Sequence, residues 1–279
     1  MVPQQARAAA FRILHSSKEI LLLPNVWDVA SARIVEESGF KAVATSSAGI
    51  AFSLGYPDGQ RIPPEEMHAV IARIAKAVQV PVTADVESGY GKTPEAAGRT
   101  ARAVLDAGAV GLNLEDSTGD STTALVELPL QLEKIRAVRE MGSRLRIPLV
   151  INARTDTYLA QIGDPAKRYD ETVRRAIAFR EAGADCIFVP GLRDAAIIGR
   201  LVADLKCPVN ILAGLGSPSV PELSKLGVAR VSLGSGTMRS TLGHLRRIAE
   251  ELKTVGTYSK LEDAPSHAEM NRMMQRKQG

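Results

Sequence analysis

Two hydrophobic periods take turns along this chain. Short apolar runs, too brief for helices, end in polar turns and are followed by stretches whose apolar residues return every third or fourth position. After an N-terminal segment with helical spacing (5–16), the runs fall at 21–27, 43–46, 81–87, 111–115, 149–154, 186–189, 209–213 and 230–233. Helical stretches lie at 29–37, 64–78, 94–107, near 129–142, near 168–182, within 194–205, at 219–226 and near 238–254, with long loops at 47–63 and after 115. Four helices stop at a glycine that a strand follows at once: Gly39-Phe40-Lys41-Ala42-Val43, Gly108-Ala109-Val110-Gly111-Leu112, Gly183-Ala184-Asp185-Cys186-Ile187 and Gly227-Val228-Ala229-Arg230-Val231. Glycine tolerates the left-handed conformation that caps a helix. Eight strand–helix units in roughly 250 residues predict an α/β fold of the (β/α)8 TIM-barrel type. A doubly wound open sheet is the alternative, but the first strand ends Pro24-Asn25-Val26-Trp27-Asp28, without the glycine-rich turn such sheets place there. We expect one barrel domain with an N-terminal helix over 1–256, and over 257–279 a tail or a helix that packs on a partner subunit.

Composition narrows the class only slightly. Of 279 residues, 45% are hydrophobic and 24% charged, which is ordinary for a globular protein, and the 4% of aromatics leaves the core to aliphatic side chains. A net charge of +4 is small, and no Lys/Arg run is flanked by aromatics, so nucleic acid is not an expected partner. No apolar run approaches the ~18 residues of a membrane span. The N-terminus lacks the apolar core and cleavage site of a secretory signal, which makes the cytoplasm the default location. Cys186 and Cys207 fit no C-x-x-C spacing and lie beside apolar runs, as buried inert thiols do.

Barrel chemistry collects at strand carboxyl ends and in the loops beyond them. Those positions hold Ser46-Ser47-Ala48-Gly49, Asp58, Asp85, Glu87, Asn113, Glu115, Asp116, Asn152, Arg154, Asn210 and the turn Gly234-Ser235-Gly236, while strand interiors read as apolar. Strand alternation puts Asp85 and Glu87 on one face, and likewise Asn113 with Glu115 and Asn152 with Arg154. Asp58, Asp85, Glu87 and Glu115 make an all-oxygen set suited to Mg²⁺, a hard cation that keeps several waters. Zinc is disfavoured, because His15, His68, His244 and His267 are scattered over helices and the tail. Arg154 suits bidentate capture of a substrate carboxylate or phosphonate, with a salt bridge to Asp85 or Glu115 as the alternative.

On these residues the sequence resembles the isocitrate lyase/phosphoenolpyruvate mutase superfamily. The matching pieces, in family order, are Thr45-Ser46-Ser47-Ala48-Gly49, Gly55-Tyr56-Pro57-Asp58, Ala84-Asp85-Val86-Glu87-Ser88-Gly89-Tyr90-Gly91, Asn113-Leu114-Glu115-Asp116 and Asn152-Ala153-Arg154-Thr155-Asp156. The resemblance implies an α/β barrel, Mg²⁺, and homo-oligomers (tetramers or dimers) whose subunits exchange their eighth helix. It also implies that Asp85 touches the metal while Asp58, Glu87 and Glu115 hold its waters. Backbone amides around Ser46, Ser47 and Ala48 would then bind the substrate carboxylate, and Arg154 would hold charge developing on the substrate. Asn210, at the end of its strand, joins the substrate-binding candidates.

The chain also departs from the family. Its carbon–carbon lyases carry a Lys-[Lys/Arg]-Cys-Gly-His loop, where this chain runs from Ser117 to Leu128 with no Cys, Lys or His. The phosphonomutases' Lys-x-Asn-Ser loop is missing too, Glu87 stands where the family has an aspartate, and Phe188-Val189-Pro190-Gly191 replaces a strand-end glutamate. With the usual proton carriers gone, the expectation is a Mg²⁺-dependent lyase or mutase. It would cleave a C–C or P–C bond in a small 2-oxo or enol carboxylate through an enolate, as an oxaloacetate decarboxylase or phosphonomutase does. The alternatives are a 2-methylisocitrate lyase-like enzyme or a non-catalytic carboxylate- or phosphate-binding barrel. A lid is expected near 117–128, with Tyr90, Tyr158 and Asp120 as candidate proton carriers.

Overall fold

The computed structural model describes residues 3–119 and 125–275. Helix α1 (Gln4–Leu14) is followed by two strand segments, β1 (Leu21–Leu23) and β2 (Asn25–Val26). Then come α2 (Val29–Glu37), β3 (Val43–Thr45), α3 (Ser47–Ser53), α4 (Pro64–Ala77), β4 (Val82–Asp85), α5 (Pro94–Asp106) and β5 (Gly111–Glu115). The second half runs through α6 (Leu128–Arg144), β6 (Val150–Arg154), α7 (Pro165–Glu181), β7 (Cys186–Phe188), α8 (Ala195–Leu205), β8 (Val209–Leu212), α9 (Val220–Lys225) and β9 (Arg230–Ser232). Helix α10 (Gly236–Thr254), a single 3-10 turn and α11 (His267–Gln275) complete it.

Every strand pairing is parallel, and the ladder order β1-β9-β8-β7-β6-β5-β4-β3-β2 returns to the strand on which it began. The first strand accounts for the extra segment. Pro24 has no N–H to give to a ladder, so the expected run splits there into β1, paired with β9, and β2, paired with β3. The eight-unit barrel predicted from the hydrophobic pattern is thus closed, apart from that break.

Period-two alternation sorts the strands into two sets. Val43, Val82, Ala84, Leu112, Leu114, Ile151, Ala153, Ile187, Val209, Ile211 and Val231 join the helices in the main core. A second, smaller core of Ala8, Phe11, Leu21, Leu23, Ala42, Ala44, Val110 and Val150 lets α1 close the amino end of the barrel. Gly111 permits this: a Cβ there would lie 2.7 Å from the Phe11 ring. Between that plug and the opposite mouth the lumen is polar, contrary to the apolar interior expected. Thr83, Asn113, Asn152, Asn210, Arg230 and Ser232 are all buried. Arg230 on β9 reaches across the barrel to Asn113 on β5, donating to its Oδ1 at 3.3 Å.

Two segments beyond the barrel differ from the expectation or refine it. The loop after β3 opens with a turn of helix, α3, because the Ser46 hydroxyl accepts the Gly49 amide and caps it. At the carboxyl end, α11 lies on α2 of its own chain, with Met273 buried and Arg272 3.6 Å from Glu37. Along α10 only Met238 is buried, while Leu242, Leu245 and Leu252 are exposed.

Candidate active site at the barrel mouth

The side chains that carry charge at the mouth stand at strand ends because the ladder registers put them there. Asp85 is level with Asn113, and Glu115 is level with Arg154, which is level with Phe188. Glu115 and Arg154 meet as an ion pair at 2.7 Å. Arg154 then turns its other edge to Asp156, with Nε and Nη2 donating to the two carboxylate oxygens at 2.5 and 2.8 Å. Its cation also lies 5.8 Å from the centre of the Phe188 ring. The guanidinium is therefore held by two carboxylates before any substrate arrives. Asp156 was the partner sequence reading left without a role, although it stands two residues beyond Arg154 in the quoted Asn-Ala-Arg-Thr-Asp motif. Its own amide is fixed by Asp116, a fully buried carboxylate paired with Arg175 at 3.2 Å.

Asp85 faces β3. Its Oδ2 accepts both the amide (3.1 Å) and the hydroxyl (2.7 Å) of Ser47, and its Oδ1 lies 3.4 Å from the Asn113 amide nitrogen. Asn113 is oriented for this, because its Oδ1 already accepts from Asn152 and Arg230. Two of the three amides expected to cradle a carboxylate are thus engaged, Ser47's by Asp85 and Ser46's by the Val26 carbonyl. Ala48 follows them in the first turn of α3.

Glu87 reaches the mouth by a different route from the one strand alternation supplied. Strand β4 ends at Asp85, and Glu87 sits in a turn with φ at 52°. Its carboxyl is nevertheless buried at the same mouth, where burial, and then the charges of Asp85 and Asp58, push its pKa up to about 8. Asp58 is raised for the same reasons, burial first. Glu115, buried at the cavity wall, is raised well above the usual carboxylate range by burial, with Arg154 offsetting part of the effect. For Arg154 the carboxylates outweigh burial, and its pKa is raised.

Ser47, Asp58, Gln60, Glu87, Glu115, Arg154 and Asp156 line one cavity of about 280 Å³, rimmed by Ser117, Thr118, Gly119 and Leu125. Asp120, and with it the middle of the expected lid, lies outside the described residues. Asn210 does not join this cavity: it is fully buried in the lumen and paired with Ser232. Tyr90 is largely buried beside His68 at a ring-centre distance of 5.9 Å, and Tyr158 packs near Arg168. Cys186 is enclosed, its thiol pushed up to about 12 by burial, which fits the inert role expected of it.

The donor set at the mouth fits Mg²⁺. All the groups offered are oxygens, and Glu87 and Asp58 carry raised pKa values in part because their neighbours are anions, a strain a cation relieves. Among the described residues no three His, Cys, Asp or Glu side chains converge tightly enough to ligate one ion together.

A closed α/β barrel with its charged groups gathered at one carboxyl-end cavity has the architecture of a barrel enzyme. The family model for phosphoenolpyruvate phosphomutase matches residues 11–253, and the chain belongs to that family, within the phosphoenolpyruvate mutase/isocitrate lyase superfamily. An uncharacterized protein of Mycobacterium tuberculosis is 37% identical over 81% of this chain and 82% of its own length. The oxaloacetate decarboxylase of Ectopseudomonas mendocina is 32% identical over 81% of this chain and 77% of its own. Among solved structures, oxaloacetate acetylhydrolase in complex with its product oxalate superposes with a TM-score of 0.86, at 28% identity, over 98% of this chain and 94% of that one. Relatives in this superfamily include lyases and mutases, and no helix among the described residues is long and apolar enough to cross a membrane.

Proposed function

We propose that this protein is a Mg²⁺-dependent lyase or mutase that cleaves a C–C or P–C bond in a small 2-oxo or enol carboxylate, by way of an enolate. The observation that carries this reading is the mouth itself: an anchored arginine and a ring of carboxylates, with no His, Cys or Lys lining the cavity among the described residues. With a cation balancing its carboxylates, such a site can hold negative charge on a substrate, and the groups it offers for proton transfer are carboxyls. A 2-oxo acid suits it, because the oxo group already accepts the electron pair that bond cleavage releases.

Asp85 would hold the ion, with Asp58, Glu87 and Glu115 fixing its waters. Bound there, Mg²⁺ supplies Lewis-acid stabilisation of charge on a substrate oxygen. Ser47 fixes the Asp85 carboxylate through two hydrogen bonds. Arg154, locked by Glu115 and Asp156, presents its charge to the developing enolate with no reorganisation, and the Ala48 amide in the first turn of α3 is the one offered to the substrate carboxylate. The cavity volume matches a molecule the size of oxaloacetate or phosphonopyruvate. Cleavage of a 2-methylisocitrate-type substrate is disfavoured because the loop at 117–128 has no Cys, Lys or His by sequence. The exposed apolar face of α10 supports a homo-oligomer in which this helix packs on a partner subunit.

The test is thermal stabilisation by oxalate, an enolate mimic, with and without Mg²⁺. Wild type is expected to be stabilised only when both are present, and Asp85→Ala to lose the effect. Identical behaviour of the two proteins would end the metal–enolate reading. A substrate screen by NMR over oxaloacetate, phosphonopyruvate and 2-methylisocitrate then separates the chemistries.

A further inference from the structure

Lysine 134 has no role in anything described so far, yet it is among the largest fully buried side chains of the molecule. It sits on α6, and its ammonium donates to the carbonyl of Ser88, the residue immediately after Glu87. That carbonyl belongs to a turn of unusual backbone. Glu87, Gly89 and Tyr90 have φ of 52°, 89° and 50°, a left-handed conformation that is unfavourable for a non-glycine residue. Such a turn persists only where its surroundings over-determine it. Its fastenings come from several elements. The Glu115 amide of β5 donates to Glu87 O at 3.0 Å, the Gly89 amide donates to Val86 O at 2.9 Å, the Thr100 hydroxyl of α5 donates to Gly89 O at 2.9 Å, and Gln60 Nε2 donates to the Ser88 hydroxyl. Lys134 supplies the one charged donor among these fastenings. It lies within electrostatic reach of Glu115 and Asp116, so its cost of burial is partly offset by carboxylates.

We propose that Lys134 is a positioning residue: from α6 it fastens the left-handed turn after β4 and thereby fixes the direction in which Glu87 meets the barrel mouth. The link to cation binding rests on the function proposed above; the fastening of the turn does not.

The test uses Lys134→Met, which keeps the length and apolar body of the side chain and removes only the donor and its charge. Thr100→Val is the companion, because it deletes the neighbouring fastening without touching a buried charge. Hydrogen exchange of the full-length protein is followed at 88–91 without added metal, together with Tm and the affinity for Mg²⁺. In Lys134→Met, exchange at 88–91 is expected to quicken about tenfold, well beyond any change in α6 and β5, with a fall in Tm because the Ser88 carbonyl loses its donor and Glu115 and Asp116 lose a nearby cation. Mg²⁺ affinity is expected to fall about fivefold. Loss of a nearby positive charge alone would tighten the ion, so weakening reports the lost positioning. Thr100→Val should quicken exchange at the same residues by a smaller factor. Unchanged protection at 88–91 in Lys134→Met, or exchange accelerated evenly through α6 and β5, overturns the proposal. If Lys134→Met does not fold, unchanged protection in Thr100→Val overturns it. Should wild type bind no Mg²⁺ at all, the proposed function fails, and the exchange comparison still decides the role of Lys134.

Discussion

Replacing Arg154 by methionine tests the charge balance of the barrel mouth. The side chain neutralises Glu115 and Asp156 together, and these carboxylates are only 8% and 5% exposed. Removing one member of a buried charge pair costs ~3–5 kcal/mol, because the partner is left without compensation. For a chain of this size each kcal/mol lowers Tm by about 2–4 °C, so the expected loss is roughly 6–20 °C. The loss also depends on pH. Glu115 already has a raised pKa with Arg154 in place, and removing the cation raises it further. A carboxyl whose folded pKa exceeds its unfolded value makes the folded state bind more protons, so stability falls as pH rises through that window. The deficit should therefore be larger at about pH 8 than at about pH 5.5, measured by urea unfolding followed by circular dichroism. Adding Glu115→Gln and Asp156→Asn to the variant removes the stranded charges and should recover most of the lost stability. A deficit under about 1 kcal/mol, a deficit independent of pH, or no recovery in the triple variant would refute the reasoning and leave only lost packing against Phe188.

Two further outcomes follow from the closed end of the barrel. His15 is buried with its Nδ1 at the Phe11 carbonyl and its Nε2 3.4 Å from Arg230, and burial, then Arg230, lowers its pKa from 6.5 to about 3. Between those values only the unfolded chain takes the proton, so stability should fall as pH drops below 6.5, by at most about 1.4 kcal/mol per pH unit; His15→Gln should flatten this part of the stability–pH curve. Phe11→Ala empties the site between Gly111 and His15 and should cost ~3–5 kcal/mol while leaving Mg²⁺ affinity unchanged, as calorimetric unfolding and a metal titration will show.

The alternating periods and glycine stops made the barrel legible in the sequence, because both depend on local backbone geometry. The strand-end groups Asp85, Glu115 and Arg154 were legible for the same reason. What escaped depends on the third dimension. Alternation tells inward from outward but not how far along the lumen a residue lies, so Asn210 read as a mouth residue although it pairs with Ser232 inside the barrel. Arg230 stands out by no sequence pattern, yet it crosses the lumen to Asn113. Glu87 was correctly grouped with Asp85 for a reason that does not apply to it, since a left-handed turn rather than the pleat directs it. Lys134 carries no signal in the sequence, and only the packing of α6 over the turn after β4 makes it interior.

The break at Pro24 bears on how the molecule is made. Asn25, just beyond it, accepts the amides of Leu233 and Gly234, 208 and 209 residues away, while its own side-chain amide donates to Thr45. Strand β2 can pair with β3 almost as soon as both leave the ribosome, but β1, only two residues earlier, has no partner until β9 emerges. One strand is thus stitched at the start of synthesis on one side of the proline and at its end on the other. A growing chain must hold the apolar run Leu21–Leu23 unpaired through nearly the whole of its translation, with α1 as the nearest cover.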